Sequence, residues 1–180
     1  MIKNDDIDKN FLSEFSGDIF YIRFIRNCLK KFRIWMVLRH LKPADVHIDL
    51  GCGDMSLLKV SPCREKFGLD SLHGDYIGDK IDFPDQFADY ITLVAFLEHL
   101  EDPILLIKDC KRVLKSGGTL IVTTPLKASE RFLKLWHKDL DSEHKGYFDK
   151  NTLKGMFLPL FEVQSYKKYF LNQVIVCRKT

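Results

Sequence analysis

The 180-residue chain has no apolar run approaching the ~20 residues of a membrane span. Its first ten residues, MIKNDDIDKN, lack the charged-then-apolar pattern of a secretory signal, so a cytoplasmic protein is expected. Its five cysteines, Cys28, Cys52, Cys63, Cys110 and Cys177, are scattered. There is no CxxC and no Cys/His cluster at zinc spacing, and no histidine pair has metal-ligand spacing with a matching carboxylate. The expectation is therefore reduced thiols that mostly fill core space, and no metal. A net charge of +3 is too small to argue by itself for nucleic acid, and no RNA-binding module is visible. Internal repeats and low-complexity segments are also missing.

What is present reads as one ordinary domain, 46% hydrophobic and 29% charged. Its parts are an N-terminal helical segment (1–42), a half holding the site (43–125), a lid-like connection (126–148) and a closing helix with a hairpin (149–180). The charge is uneven. Residues 1–18 hold five acids and two lysines, whereas residues 19–44 hold seven Lys/Arg and no acid. Ile19–Leu41 reads as a helix ended by Pro43, with Arg23, Arg26, Asn27, Lys30, Lys31 and Arg33 on one face. Ile25, Cys28, Leu29 and Phe32 lie opposite. This basic face is read as solvated, as a contact for an anionic substrate, or as resting on an acidic membrane surface or RNA.

Strands are expected at DVHIDL, EKFGLD, DYIGD, DYITLVA and TLIVTTP. The segment EDPILLIKDCKRVLKSGG is the clearest helix. Asp102 caps it, Pro103 fits its first turn and Leu106, Ile107, Cys110, Val113 and Leu114 form its inner stripe. Lys111, Arg112 and Lys115 crowd its last turns, and Gly117 and Gly118 stop it. KNTLKGMFLPLF reads as a helix ended near Pro159, and the two segments after it as a β-hairpin. Strands alternating with helices imply an α/β, Rossmann-like, doubly wound and mostly parallel sheet. Ligands bind such sheets beyond the carboxyl ends of the strands. The residues at issue are Asp49 to Met55, Asp70, Asp79, Ala95 to His99, and Pro125 onward.

The first strand ends in HIDLGCGDM, and Asp70 follows Gly51 by 19 residues, a spacing suited to a carboxylate that binds ribose hydroxyls. A dinucleotide would set its pyrophosphate beside Asp49, an unfavourable pairing of like charges in a low-dielectric cleft. S-adenosylmethionine has no phosphate and carries a sulfonium and an ammonium, so Asp49 favours it. On HIDLGCGDM, GLD, GDKIDFPDQFADYITLVAFLEHLEDP, CKRVLKSGGTLIVTTP and EHKGYFDKNTLKGMF, the chain resembles the class I S-adenosylmethionine-dependent methyltransferases, near the ubiquinone-biosynthesis type.

That resemblance implies a seven-stranded sheet whose last strand is antiparallel. It implies S-adenosylmethionine as cofactor, S-adenosylhomocysteine as product, and a cofactor site drawn from Asp49, Gly51, Cys52, Gly53, Asp70, Ser71, Asp79, Lys80, Ala95 and Phe96. Asp49, Gly51 and Gly53 would take the methionine end and Asp70 the ribose. Asp79 would meet the adenine amino group, with Lys80 and Ile81 beside the base. His144 and His99 are the candidates for acceptor binding or base work. Glu98 and His137 are secondary, and His40, His47 and His73 are incidental. The departures are Met55 at the third glycine position, Ser116 at a usual proline, and only SLHGDYIG between Asp70 and Asp79. A regular crossover needs about a dozen residues, so the helix between the second and third strands is expected to be reduced or absent.

The expected reaction is methylation of a small molecule, with oxygen on a sugar, lipid precursor or metabolite as first choice. Two alternatives stay open: a tRNA methyltransferase, and a non-catalytic S-adenosylmethionine-binding protein. No nucleic-acid partner is expected under the first reading. Peripheral membrane contact is a lesser option, and the sequence is silent on oligomeric state.

Overall fold

Strand β1 (Val46–Leu50) is buried at every position, and it is the strand on which the site is built. Its neighbours β2 (Glu65–Leu69) and β3 (Ala88–Val94) run parallel to it on either side. The computed structural model describes residue 24 and residues 27–70, 80–126, 147–169 and 171–180. The chain divides into two compact units, residues 1–33 and 34–180.

The first unit contributes the described start of helix α1 (27–38). There Asn27, Cys28 and Lys31 are exposed, while Leu29, Lys30, Phe32 and Arg33 are half-buried. Cys28 is thus not a core filler, whereas the other four cysteines are buried.

The second unit holds a six-stranded sheet in the order β2-β1-β3-β4-β6-β5, with β4 at Leu114–Pro125, β5 at Glu162–Lys168 and β6 at Asn172–Arg178. The last strand, β6, is antiparallel to both β4 and β5, as expected of the closing hairpin. Six strands rather than seven are found among the described residues. The expected strand at residues 75–79, the short crossover before it, and with them Ser71 and Asp79, lie outside the described residues, as do His137 and His144.

Alternation along β1 sends Val46, Ile48 and Leu50 to one face and His47 and Asp49 to the other. The first face is closed by helices α3 (Pro103–Val113) and α4 (Lys150–Phe157) through Leu106, Ile107, Cys110, Leu153 and Phe157. The second is closed by Val37 and Leu41 at and beyond the end of α1 and by Leu57 of the short helix α2 (Ser56–Val60).

Asp102 caps α3 by accepting from the Ile104 N–H, with Pro103 in the first turn. The C-terminus departs from expectation: the helix stops at Val113, and Leu114 already pairs with Ala88 in the sheet. No glycine cap is needed there. Gln86 and Phe87 donate N–H groups to the Arg112 and Val113 carbonyls, and the Lys179 Nζ donates to the Leu114 carbonyl. Gly117, at φ 79°, instead turns the chain inside a bulged start of β4. Lys115 therefore interacts with no helix end; its ammonium pairs with Asp89 at 2.9 Å.

Candidate cofactor site

The turn after β1 is tied to the end of β2 by its own backbone. Gly51 and Cys52 both donate N–H to the Leu69 carbonyl, at 2.8 and 3.2 Å, and Gly53 donates N–H to Asp70 Oδ2 at 2.8 Å. Gly51 and Gly53 sit at φ 73° and 52°. At Gly51 a Cβ would come within 2.3 Å of the Phe96 ring, so glycine is what lets Phe96 lie on the turn. At Gly53, among the described residues, nothing lies within 4 Å of where a Cβ would stand. The Cys52 side chain is buried toward Gly68, where an added Cβ would fall 2.7 Å from its sulfur. Cys52 thus faces the turn with backbone.

Met55 follows at φ 61°, in the left-handed region, as the residue preceding α2. The third-glycine position therefore keeps the backbone that a glycine would favour, and a methionine adopts it. Ala95, after β3, does the same at φ 53°, with its N–H bonded to the Thr123 carbonyl at 3.0 Å.

Asp49 is 2% exposed, and its Oδ1 accepts from the Thr92 hydroxyl at 2.5 Å. Burial pushes its carboxyl up to about 7; the Thr92 bond opposes this and the nearby Asp70 adds to it. Thr92 Oγ1 also lies 2.9 Å from His47 Nε2, and His47 Nδ1 lies 2.8 Å from Ser61 Oγ. His47 is fully buried, and burial, with Lys66 second, brings it down to about 4. His47 is therefore not incidental: it stands second in a buried line, Ser61–His47–Thr92–Asp49. The signal was in the strand period, because a histidine two residues before Asp49 on β1 shares its face.

His99 ends a short turn of 3₁₀ helix (Leu97–His99) just after β3 and is exposed. Glu98 beside it is 1% exposed and thus does not face solvent. Lys80 is exposed, whereas Ile81 is in the core, with its N–H on Asp109 Oδ2 and its carbonyl on Arg112 Nη2. The structure thus brings Asp49, Gly51, Cys52, Gly53, Asp70, Ala95 and Phe96 to one end of β1, β2 and β3. Among the described residues, no group of three or more His, Cys, Asp or Glu could hold a metal, and no helix is long and apolar enough to cross a membrane.

These residues fit a cationic nucleoside better than a dinucleotide. Three successive turn amides that could cradle a pyrophosphate are already engaged by β2 and Asp70. What the strand ends offer is two carboxylates and, among the described residues, open space above Gly53.

Residues 21–158 match the family model described as a methyltransferase domain. An uncharacterized protein of Methanocaldococcus jannaschii is 28% identical over 117 residues, covering 65% of this chain and 53% of that protein. A ubiquinone biosynthesis O-methyltransferase of Xanthomonas axonopodis pv. citri is 29% identical over 122 residues, covering 54% of this chain and 51% of that one. The chain thus spans about half the length of these curated relatives. In fold it is similar to a SAM-dependent methyltransferase of Aquifex aeolicus, with a TM-score of 0.62, 16% identity, and 82% and 89% of the two chains covered.

Proposed function

The chain belongs to the class I S-adenosylmethionine-dependent methyltransferases, and from that premise we propose that it transfers a methyl group to oxygen on a small sugar, lipid precursor or metabolite. The observation that carries the cofactor half of this reading is the pair Asp49 and Asp70 at the ends of β1 and β2, beside a turn whose amides serve the protein. S-adenosylmethionine supplies an electrophilic methyl on a sulfonium, and alignment of the acceptor supplies much of the rate.

The chain's own residues then divide the work. Asp49 faces the positive end with negative charge, Asp70 takes the ribose, and Phe96 lies over the glycine turn. His144 orients the acceptor or receives its proton, and His99 stands at the mouth. Oxygen as the acceptor atom draws support from the relative whose name is an O-methyltransferase of ubiquinone biosynthesis. The cell compartment we propose is the cytoplasm.

Calorimetry with S-adenosylhomocysteine tests the cofactor half. Sub-millimolar binding is expected, lost in Asp70→Ala, and no binding by the wild-type chain rejects the reading. His144→Ala tests the transfer half. Turnover with an accepted substrate should fall about a hundredfold or more, as for a lost general base, with little change in cofactor affinity. Unchanged turnover makes His144 a loop residue.

A further inference from the structure

The Thr92 hydroxyl has one proton and two neighbours that can compete for it. One is a carboxylate at 2.5 Å and the other an imidazole nitrogen at 2.9 Å. When Asp49 is ionised it only accepts, so Thr92 donates to it. Thr92 Oγ1 must then accept from His47 Nε2–H, and His47 Nδ1, carrying no proton, accepts from Ser61 Oγ–H at 2.8 Å. When Asp49 takes up a proton it can donate to Thr92, which turns its own proton to Nε2, while His47 carries its proton on Nδ1 toward Ser61. The four groups have two complete hydrogen-bonding arrangements of opposite direction, and the charge on Asp49 selects between them.

We propose that His47 is a positioning residue that, through Thr92, aims a hydroxyl proton at Asp49 and so holds Asp49 in the anionic state that meets a cationic cofactor. The inference rests on reading the end of β1 as the cofactor site.

The mechanism is local. A donor on Thr92 Oγ1 polarises its hydroxyl and strengthens the bond to the carboxylate. A bond to the charged form favours that form against the burial that opposes it. His47 stays neutral in both arrangements, consistent with its lowered basicity. Among the described residues, the ionisable groups around the line come from the strands beside β1 and from the elements covering its face. On β2 they are Lys66, opposite His47, and Asp70 just beyond the strand; on β3 they are Tyr90, opposite His47, and Asp89, whose Oδ2 accepts from the Val46 N–H and whose charge acts on Cys63. Cys63 lies beside Ser61, donating its N–H to Ser61 Oγ at 3.4 Å. The elements covering this face bring Arg39 and His40 after α1 and Lys59 on α2. Lys66 acts against a cationic His47 and Asp70 against an anionic Asp49.

Two measurements test this. The first needs no cofactor: the ring-nitrogen shifts of ¹⁵N-histidine-labelled protein, followed from about pH 8.5 to 5.5 across the Asp49 titration. His47 should be the Nε2–H tautomer at the alkaline end and move to Nδ1–H with the Asp49 titration, and Asp49→Asn should abolish the change. A tautomer that does not respond, or that begins as Nδ1–H, overturns the proposal whatever the protein binds.

The second is S-adenosylmethionine affinity against pH. In His47→Val the acid limb should move up by about one pH unit, which lowers the ionised fraction at pH 7 about fivefold. His47→Gln, which keeps a donor for Thr92, should restore the limb. A purely structural histidine would lower thermal stability in both variants and leave the limb in place, and that result overturns the proposal. Should His47→Val not fold, the tautomer measurement alone decides. Wild-type protein that binds no S-adenosylmethionine at any pH rejects the cofactor reading instead, and is distinguishable because the tautomer result stands apart from it.

Discussion

Asp49 ionises where its charge is disfavoured, and the sign of that conflict can be followed. Its folded-state value lies near 7, above the unfolded carboxylate, so the folded protein holds a proton that the unfolded chain has released between about pH 4 and 7. Its contribution to stability therefore falls as pH rises through that window and is least favourable above it. Asp49→Asn should stabilise the protein above pH 7 by an amount bounded by about 4 kcal/mol, while weakening S-adenosylmethionine binding. Urea titrations at pH 8 check the first part; a variant less stable than wild type there contradicts it. Met55 presents the opposite case, a side chain on a backbone that glycine adopts without strain. Relief of a left-handed conformation is worth about 1 kcal/mol, which offsets loss of the half-buried side chain and the added freedom of the unfolded chain. Met55→Gly should thus change unfolding free energy by less than about 1 kcal/mol, where an ordinary apolar truncation costs more. A large loss in the same titration would show that Met55 is held by packing.

At the scale of elements, α3 holds the segment that leads into β3. Arg112 donates from Nη1 to the Phe83 carbonyl and Asp85, and from Nη2 to the Ile81 carbonyl and Asp109, while its Nε meets Asp109 Oδ1 at 2.6 Å. The planar fork reaches acceptors on two sides that one ammonium cannot span. Phe83 stacks on Phe87 beneath it, with Phe67 of β2 at the edge of Phe83. Arg112→Lys should cost about 1–3 kcal/mol, as expected for hydrogen bonds to charged groups, despite keeping the charge. A melting temperature equal to wild type would mean that the aromatic cluster holds the segment unaided. At the other end of the sheet Gln173 of β6 donates to Thr124 Oγ1 and to the Phe148 carbonyl, while its Oε1 accepts from Tyr166. The end of the connection after β4 is thereby fixed to the sheet just before α4 begins.

For the whole molecule, the proposed site at the strand ends exists only in the folded sheet, so cofactor binding there is linked to folding. A ligand present at a hundred times its dissociation constant adds about 2.7 kcal/mol of stability, which raises the melting temperature of a chain this size by roughly 5–10 °C. S-adenosylhomocysteine should produce that rise in a thermal melt, and in Asp70→Ala it should be lost. A wild-type melt unmoved by saturating S-adenosylhomocysteine contradicts the site as drawn.

Much of the fold, and the arrangement of the candidate site, was legible in the sequence. Short apolar and β-branched runs marked β1, β3 and β4, Asp102 and Pro103 marked the start of α3, and the order of Asp49, the glycines and Asp70 marked the candidate cofactor turn. These signals are local: a strand alternates, a cap satisfies a nearby amide, and a glycine permits a turn within a few residues. The end of α3 was not legible, because Gln86, Phe87 and Lys179 satisfy its last carbonyls from distant parts of the chain. Nor was the role of Lys115, whose partner Asp89 lies on the neighbouring strand β3. The sequence by itself determined that one carboxylate stands near the end of a first strand and another directly follows a second. Only the tertiary structure decided that Thr92, 43 residues away, would meet Asp49 and that His47 would meet Thr92. Strand pairing sets such neighbours, and the burial that comes with it gives a hydroxyl proton its influence over a charge.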